Sequence, residues 1–535
     1  MSTEYEFFQS LTKEECWQKY CGFFDLSLDE FMDIQKELLM DEIDLVADSP
    51  LGKKIMGDRK PRSIEEFRRT VPLTTYEDYK PYLSKKREDV LAEKPIFWCH
   101  TAGQRGDFKW VPYTERHYRR LIDIVVGGFI LACATTKGEI NLKGGEKLVY
   151  TVAPRPYASG FLSIGICQQL GVRPLPPMEI AEKMDFRQRI EESFKLALRE
   201  GVDIVGSISS VLVKIGERFT EQSTGMKFSA PMLHPAVLFR LGRALLRSKW
   251  ERRAMLPKDL WPIKGAICSG TDTAIYREQV AHYWGTKPWE IYAITEAGIV
   301  AMQSWSKEWM TFVPYSFFLE FIPEAEWVKN REDEEYHPST VLLDEVKEGE
   351  CYEVVITNFY GMPFLRYRPG DLIKIVSLRD ERTSVNLPQM LFKSRADDFI
   401  DLAGLARLDE KTVWQAIANT GIKYEDWTAC KEYDQSQTHL CLYLELKEKR
   451  DPREIEHMID HQLQIIDVDY RDIDAWLQHH PVRVILLSPG TFQHFYQEKQ
   501  KEGVDLAHLK PPHMNASEPV IQRLLQLSQL GDQEP

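Results

Sequence analysis

Three short stretches of the chain combine residue types suited to phosphate chemistry. In the first, the apolar run Ile96-Phe97-Trp98-Cys99 leads into His100-Thr101-Ala102-Gly103-Gln104-Arg105-Gly106-Asp107-Phe108-Lys109. Glycines such as Gly103 and Gly106 let backbone N–H groups approach a polyphosphate closely, and Lys109 adds a mobile positive charge. The pattern G-x-x-x-x-G-K-[ST] of a nucleoside-triphosphatase P-loop is absent, and an ordinary surface turn would use similar residues. In the second, Trp289 to Ile291 run into Tyr292-Ala293-Ile294-Thr295-Glu296-Ala297-Gly298, with an aromatic, a hydroxyl and a carboxylate at an expected strand end. A carboxylate beside a phosphate site suits Mg²⁺, which keeps waters and takes few protein ligands; a capped, solvated turn is the alternative. The third is Gly361-Met362-Pro363-Phe364-Leu365-Arg366-Tyr367-Arg368-Pro369-Gly370-Asp371, ahead of the apolar run Leu372 to Val376. Asp371 follows a Pro-Gly turn, where its two oxygens could accept both hydroxyls of a ribose. A β-turn with Asp371 and the arginines as surface charge accounts for the same residues.

Elements of definite period must carry these loops. Glu14 to about Ala47 reads as helices with acidic faces, and Pro61 to Tyr82 as a connecting segment. Short apolar runs then alternate with amphipathic helices, the pattern of an α/β layer fold. Phe186, Ile190, Phe194, Ala197 and Leu198 share one helical face, with Asp185 and Gln188 placed to cap and Gly201 to terminate. Val202 to Gly206, Ile263 to Ser269 and Glu353 to Asn358 read as strands. Leu391 to Leu402 reads as a charged, exposed stretch. Beyond it come a helix from Glu410, a strand at Leu440 to Leu446, a helix from Pro452 and a strand at Val482 to Leu487. That is enough for a separate α+β domain, with its boundary near Arg395.

The 535 residues exceed the size of one ordinary domain. Lys plus Arg number 68 against 82 Asp plus Glu, a net charge of −14 that argues against a general nucleic-acid-binding surface. Nine scattered cysteines without C-x-x-C read as reduced thiols rather than a zinc site. The first twenty residues are too acidic and polar for a secretion signal. The most apolar run, Leu121 to Cys133, has only thirteen residues and includes Asp123, whereas a span needs about 20. A cytoplasmic chain with no membrane and no nucleic-acid partner is expected. His457 and His461 stand one helical turn apart without a third ligand nearby, so a solvated helix face is expected rather than a metal site.

Taken in order, Thr101-x-Gly-x-x-Gly-x-x-Lys109, Tyr-x-x-Thr-Glu296, Tyr-Arg-x-Gly-Asp371 and Arg395-x-Asp-Asp398 resemble the motifs of the adenylate-forming superfamily of luciferases and acyl-CoA ligases. Within it the chain looks most like the auxin-responsive acyl-acid amido synthetase family. The stretches that favour that family are Pro489-Gly490-Thr491-Phe492, Gly503 and Leu509-Lys510-Pro511-Pro512. Phenylacetate-CoA ligases are similar around Ala158-Ser159-Gly160-Phe161 and Gly201-Val202-Asp203-Ile204. The resemblance implies an α/β fold: a large multi-layer N-terminal adenylation domain over 1–394, with a helical lead-in over 1–60, and a smaller α+β lid domain over 395–535.

It further implies ATP and Mg²⁺, a carboxylic acid activated as an acyl-adenylate, and an amino acid or coenzyme A as acceptor. Lys109, Thr295, Glu296 and Lys510 would be catalytic, with Glu296 holding the metal. Thr101, Gly103 and Gly106 would cradle phosphates, Tyr292, Ser269 and Gly270 would lie at the adenosine, and Asp371 would bind the ribose. Arg395 would contact the nucleotide and also begin the hinge, Arg395 to Asp398, that absorbs a large backbone change. Two departures stand out. Ala102, Gln104 and Arg105 occupy positions where the family expects loop hydroxyls, and Asp401 stands where a lysine is often found. An amide-forming ligase, an acyl-CoA ligase and a non-catalytic nucleotide- or acyl-binding relative are the three readings. Neither G-x-S-x-G nor G-x-G-x-x-G occurs, which removes the local cues for a hydrolase or a dinucleotide enzyme.

Overall fold

Thr12 and Ser27 each stand three residues ahead of a glutamate, and both pairs close capping boxes in which hydroxyl and carboxylate satisfy each other's backbone N–H. Helices Lys13–Cys21 and Leu28–Val46 follow, burying Trp17, Tyr20, Phe31, Leu39 and Ile43. The computed structural model describes residues 8–57, 60–101, 109–151, 153–184, 186–223, 234–269, 273–333, 335–395, 400–402, 406–434, 437–467, 470–471, 480–501, 513–516 and 518–531. Two units divide the chain, Met1–Lys393 and Ser394–Pro535.

The segment expected to be a connection, Pro61 to Tyr82, instead forms helices Ile64–Thr70 and Tyr76–Leu83 and is bound into the first unit. Phe67 and Tyr79 are fully buried. Thr74 Oγ1 donates to the Leu365 carbonyl at 2.6 Å, and Leu365 N–H donates to the Tyr79 hydroxyl at 2.9 Å. Pro72 and Pro81 mask the helical period in the sequence, yet Ser63 and Thr75 stand at the two N-caps.

A hairpin, β1 (Phe97–Thr101) and β2 (Lys109–Tyr113), stands apart from the main sheet. The main sheet takes β3 (Lys147–Tyr150), β4 (Arg173–Leu175), β5 (Ile204–Ile208), β6 (Gly265–Ser269), β7 (Pro288–Ile294) and β8 (Gly298–Gln303). To these are added β9 (Met310–Phe312), β10 (Phe317–Pro323), β11 (Cys351–Asn358), β12 (Asp371–Ser377) and β13 (Gln389–Arg395). Its eleven strands run in the order β10-β11-β12-β13-β9-β8-β7-β6-β5-β3-β4. The β4, β3, β5, β6 and β7 half is parallel, whereas β7–β8 and β8–β9 are antiparallel. Direction therefore changes at β7. Helix Phe186–Glu200 ends at Gly201 (φ +88°) as the pattern predicts, while Asp185, its expected cap, lies outside the described residues. Strands β5 and β6 begin two residues later than hydrophobicity suggests, with Val202 and Ile263 in the connections that precede them.

Helix Glu115–Cys133, capped by Thr114, contains the most apolar run of the sequence and is buried under the sheet. Gly128 lets the Trp289 ring of β7 lie against this helix: a Cβ there would come within 2.7 Å of the indole. No helix among the described residues is long and apolar enough to cross a membrane.

In the second unit Asp409 caps helix Glu410–Asn419, and β14 (Ile400–Leu402) pairs with β15 (Ala406–Leu408). Ile400 and Leu402 are buried, so that end of the charged stretch 391–402 is core rather than surface. A three-stranded sheet joins β16 (Tyr424–Asp434), β17 (Gln437–Leu446) and β18 (Val482–Leu487). β16 was not expected, because charged residues interrupt its alternation. Helix Pro452–Ile466 was expected; Thr491–Lys501 and Glu518–Gly531 complete the unit.

Candidate active site

The turn after β7 sits where parallel pairing gives way to antiparallel, the kind of strand end at which open α/β sheets place ligands. Gly298 makes the turn feasible: its φ is +83°, and a Cβ would approach Leu121 Cδ1 to 2.6 Å. The turn backbone is held from two directions. Buried Tyr113 donates its hydroxyl to the Thr295 carbonyl at 2.7 Å, and Asn358 Nδ2 donates to the Glu296 carbonyl at 3.0 Å.

Glu296 is 7% exposed. Its Oε1 accepts from the Tyr367 hydroxyl at 2.7 Å and stands 3.9 Å from Lys109 Nζ. Among the described residues, no donor is bonded to Oε2. Lys109 begins β2, directly opposite Thr101 at the end of β1. Its ammonium also lies 5.4 Å from the centre of the Tyr76 ring. Burial, with help from the Glu296 charge, pushes the Tyr76 hydroxyl up to about 12, so it stays protonated; it accepts from Trp110 N–H at 2.6 Å.

The third stretch is latched to the second at two points, Tyr367 on Glu296 and Asp371 on Tyr292. The Tyr292 hydroxyl donates to Asp371 Oδ2 at 2.7 Å, and both residues are buried. The arginines of this stretch are not surface charge. Arg366 donates Nε and Nη2 to Glu320 at 3.0 and 2.9 Å, and Arg368 binds Glu353 at 2.9 and 2.7 Å, all four residues largely buried. The sequence offered two unpaired cations; distant strands supply their carboxylates.

Lys109, Thr295, Glu296, Tyr292 and Asp371 are thus placed by one group of elements. Thr101, Ser269 and Arg395 are placed in backbone only, at the ends of β1, β6 and β13. Gly103, Gly106 and Gly270, the hinge residues after Arg395, and Lys510 lie outside the described residues. Sequence reasoning passed over Tyr113, Tyr367 and Asn358. Tyr367 lay inside a motif already singled out; the other two gave no local signal.

His100, in β1 of the hairpin, packs between Tyr157 at 4.3 Å and Trp110 at 5.2 Å between ring centres. Burial, and secondarily Lys86, lowers its pKa to about 4, leaving a neutral ring. Phe161 stacks on Phe97 at 3.9 Å, so the start of helix Ala158–Leu170 is joined to β1 by aromatic contact. His457 and His461 are both exposed, and no group of three or more metal-ligating side chains occurs among the described residues.

In the second unit, His513 is clamped between two carboxylates: Nδ1 is 2.7 Å from Glu410 and Nε2 2.9 Å from Asp426. Its ring stacks on Trp427 at 4.5 Å. Burial alone would lower its pKa, but the bonds to Asp426 and Glu410 outweigh that and lift it to about 10.

The fold defines a class. A 2-hydroxyisobutyryl-CoA ligase solved in the postadenylation state with R3-HIB-AMP has the same fold, at TM-score 0.64 and 12% identity over 96% of this chain and 94% of that one. The fold is that of the two-domain adenylate-forming enzymes. An acyl acid amido synthetase, AtGH3.15 in complex with 2,4-DB, superimposes at TM-score 0.69 and 18% identity, covering 96% of each chain. The chain belongs to the GH3 family: the family's N-terminal, central and C-terminal domain models match residues 21–152, 310–395 and 410–519, more than half the sequence. Jasmonoyl--L-amino acid synthetase JAR4 of Nicotiana attenuata is 23% identical over 368 residues, 58% of this chain and 60% of that relative. The match spans less than two thirds of that relative's length.

Proposed function

We propose that this chain activates a carboxylic acid with ATP as the acyl-adenylate and transfers the acyl group to an amino acid. The single observation that carries the reading is the convergence of Lys109 and Tyr367, from two other stretches, on the Glu296 carboxylate. Attack of a carboxylate on the α-phosphorus spreads charge over phosphate oxygens, so positioned cations and donors supply most of the rate. Lys109, 32% exposed at its side chain, is free to leave Glu296 for a phosphate. Thr295 offers its hydroxyl from the same turn, and Asp371, steadied by Tyr292, is the acceptor for the ribose hydroxyls. Gly103 and Gly106 would bring backbone N–H groups to the β- and γ-phosphates.

Glu296 fits a hard divalent cation: Oε1 is committed to Tyr367, and Oε2 has no protein donor among the described residues. Mg²⁺ held there would neutralise charge on the phosphates. In the second half-reaction Lys510 is the cation proposed to serve the C-terminal unit, with Arg395 to Asp398 as the hinge. A cytoplasmic site of action goes with ATP as co-substrate.

The test is acid-dependent exchange of labelled pyrophosphate into ATP with a broad panel of acids, followed by AMP release with amino acids or coenzyme A. Exchange with amino-acid-dependent amide formation is expected. Thioester formation instead would establish the acyl-CoA ligase reading. Absence of exchange from protein that binds ATP would establish the non-catalytic one, with Gln104 and Arg105 as the first residues to replace.

A further inference from the structure

Helix Pro235–Trp250 is apolar on the side that faces away from the protein. Its inner face is Val237, Leu241, Ala244 and Ser248, all buried. Half a turn round, at the spacing i, i+7, i+11 that shares one face, stand Phe239, Leu246 and Trp250, which are 74%, 72% and 85% exposed. Leu238 and Leu245 widen this stripe. Isolated exposed apolar side chains are ordinary, but five along one helix form a contiguous patch.

The charge around the patch is opposite in sign to that of the molecule. Residues 235–253 contain six Arg or Lys and one acidic residue, Glu251, in a chain of net charge −14. Glu251 is already bound by Arg247 and Arg253. Exposed Lys249 and Arg252 have no ion-pair partner among the described residues. A second copy meeting this face about a two-fold axis would set its cations against their own images, which is repulsive. An anionic bilayer complements both features at once: aromatic and leucine side chains enter the acyl boundary while lysine and arginine meet lipid phosphates.

We infer that the outer face of helix 235–250 is a membrane-association surface, with Phe239, Leu246 and Trp250 inserting and Lys249 and Arg252 contacting anionic headgroups. This is peripheral binding rather than a membrane span, and it goes beyond the sequence expectation of no membrane partner. It does not depend on the proposed chemistry.

The experiment is co-sedimentation of the full chain with phosphatidylserine-containing vesicles and with pure phosphatidylcholine vesicles. Binding to the anionic vesicles is expected, weakened by salt. F239S/L246S/W250S should reduce partitioning by at least about tenfold, and K249E/R252E should remove the preference for anionic lipid. Both variants should keep the wild-type melting temperature, since all five side chains are exposed. Quenching of tryptophan fluorescence by brominated lipid should be lost in W250F. Absence of binding, or equal binding by the triple variant, would overturn the inference. A concentration-dependent dimer abolished by the triple variant, with no vesicle binding, would overturn it in favour of a second copy.

Discussion

Glu296 is held by a hydroxyl on one oxygen and stands at the edge of ion-pair range from Lys109. That geometry leaves the lysine exchangeable and the carboxylate fixed. Lys109→Ala and Glu296→Gln should each lower acid-dependent pyrophosphate exchange by about 10²–10³-fold, the cost of losing one preorganised electrostatic group. Their melting temperatures should change little, because Glu296→Gln keeps an acceptor for the Tyr367 hydroxyl and Lys109 is partly exposed and stands 3.9 Å from the carboxylate, at the edge of ion-pair range. A variant that loses stability and activity together would place the residue in the scaffold rather than the chemistry.

Among the elements, the turn after β7 and the turn at Gly361 are each held by specific contacts. Gly298→Ala would force a side chain into left-handed backbone and against Leu121; a loss of about 2–4 kcal/mol is expected in denaturant titration, strain and overpacking together. The Gly361 turn is held by a different device. Glu42, deep in helix Leu28–Val46, accepts Gly361 N–H at 2.9 Å, and burial raises its pKa from the ordinary 4.5 to about 8. The folded state thus holds a proton that the unfolded chain releases near pH 4.5. The stabilisation from that proton is complete below pH 4.5 and is lost as pH rises through about 8. Glu42→Gln keeps an acceptor for Gly361 without the ionisation. Its melting temperature should therefore lack the decline that the wild type shows over this window.

At the scale of the whole molecule, the two units have separate hydrophobic cores, and His513 ties part of the second together. Its folded pKa of about 10 exceeds the ordinary 6.5, so the stabilisation is full below pH 6.5 and is lost as pH rises through about 10. His513→Ala should raise hydrogen exchange in residues 406–434, where Glu410 and Asp426 lose their partner. Protection of β7 and β8 in the first unit should be unchanged. Loss of protection throughout both units would show that His513 supports more than its own unit.

Caps, periods and glycine terminators are local, so helix Phe186–Glu200, the start of helix Pro452–Ile466, β18 and the order of the three phosphate-type stretches could be read directly from the chain. The helices after Pro61 were obscured by prolines, and β16 by its charged residues. The sequence also determined which residue types stand ready for phosphate chemistry. It did not determine their partners. Tyr367 for Glu296, Tyr292 for Asp371, and Glu320 and Glu353 for the two arginines come from segments 15 to 79 residues away, and such pairing depends on sheet order rather than on spacing. Burial was decided the same way: an apolar stripe records only that a face resembles core, and the tertiary structure covered Val237 and Leu241 while leaving Phe239 and Trp250 in solvent.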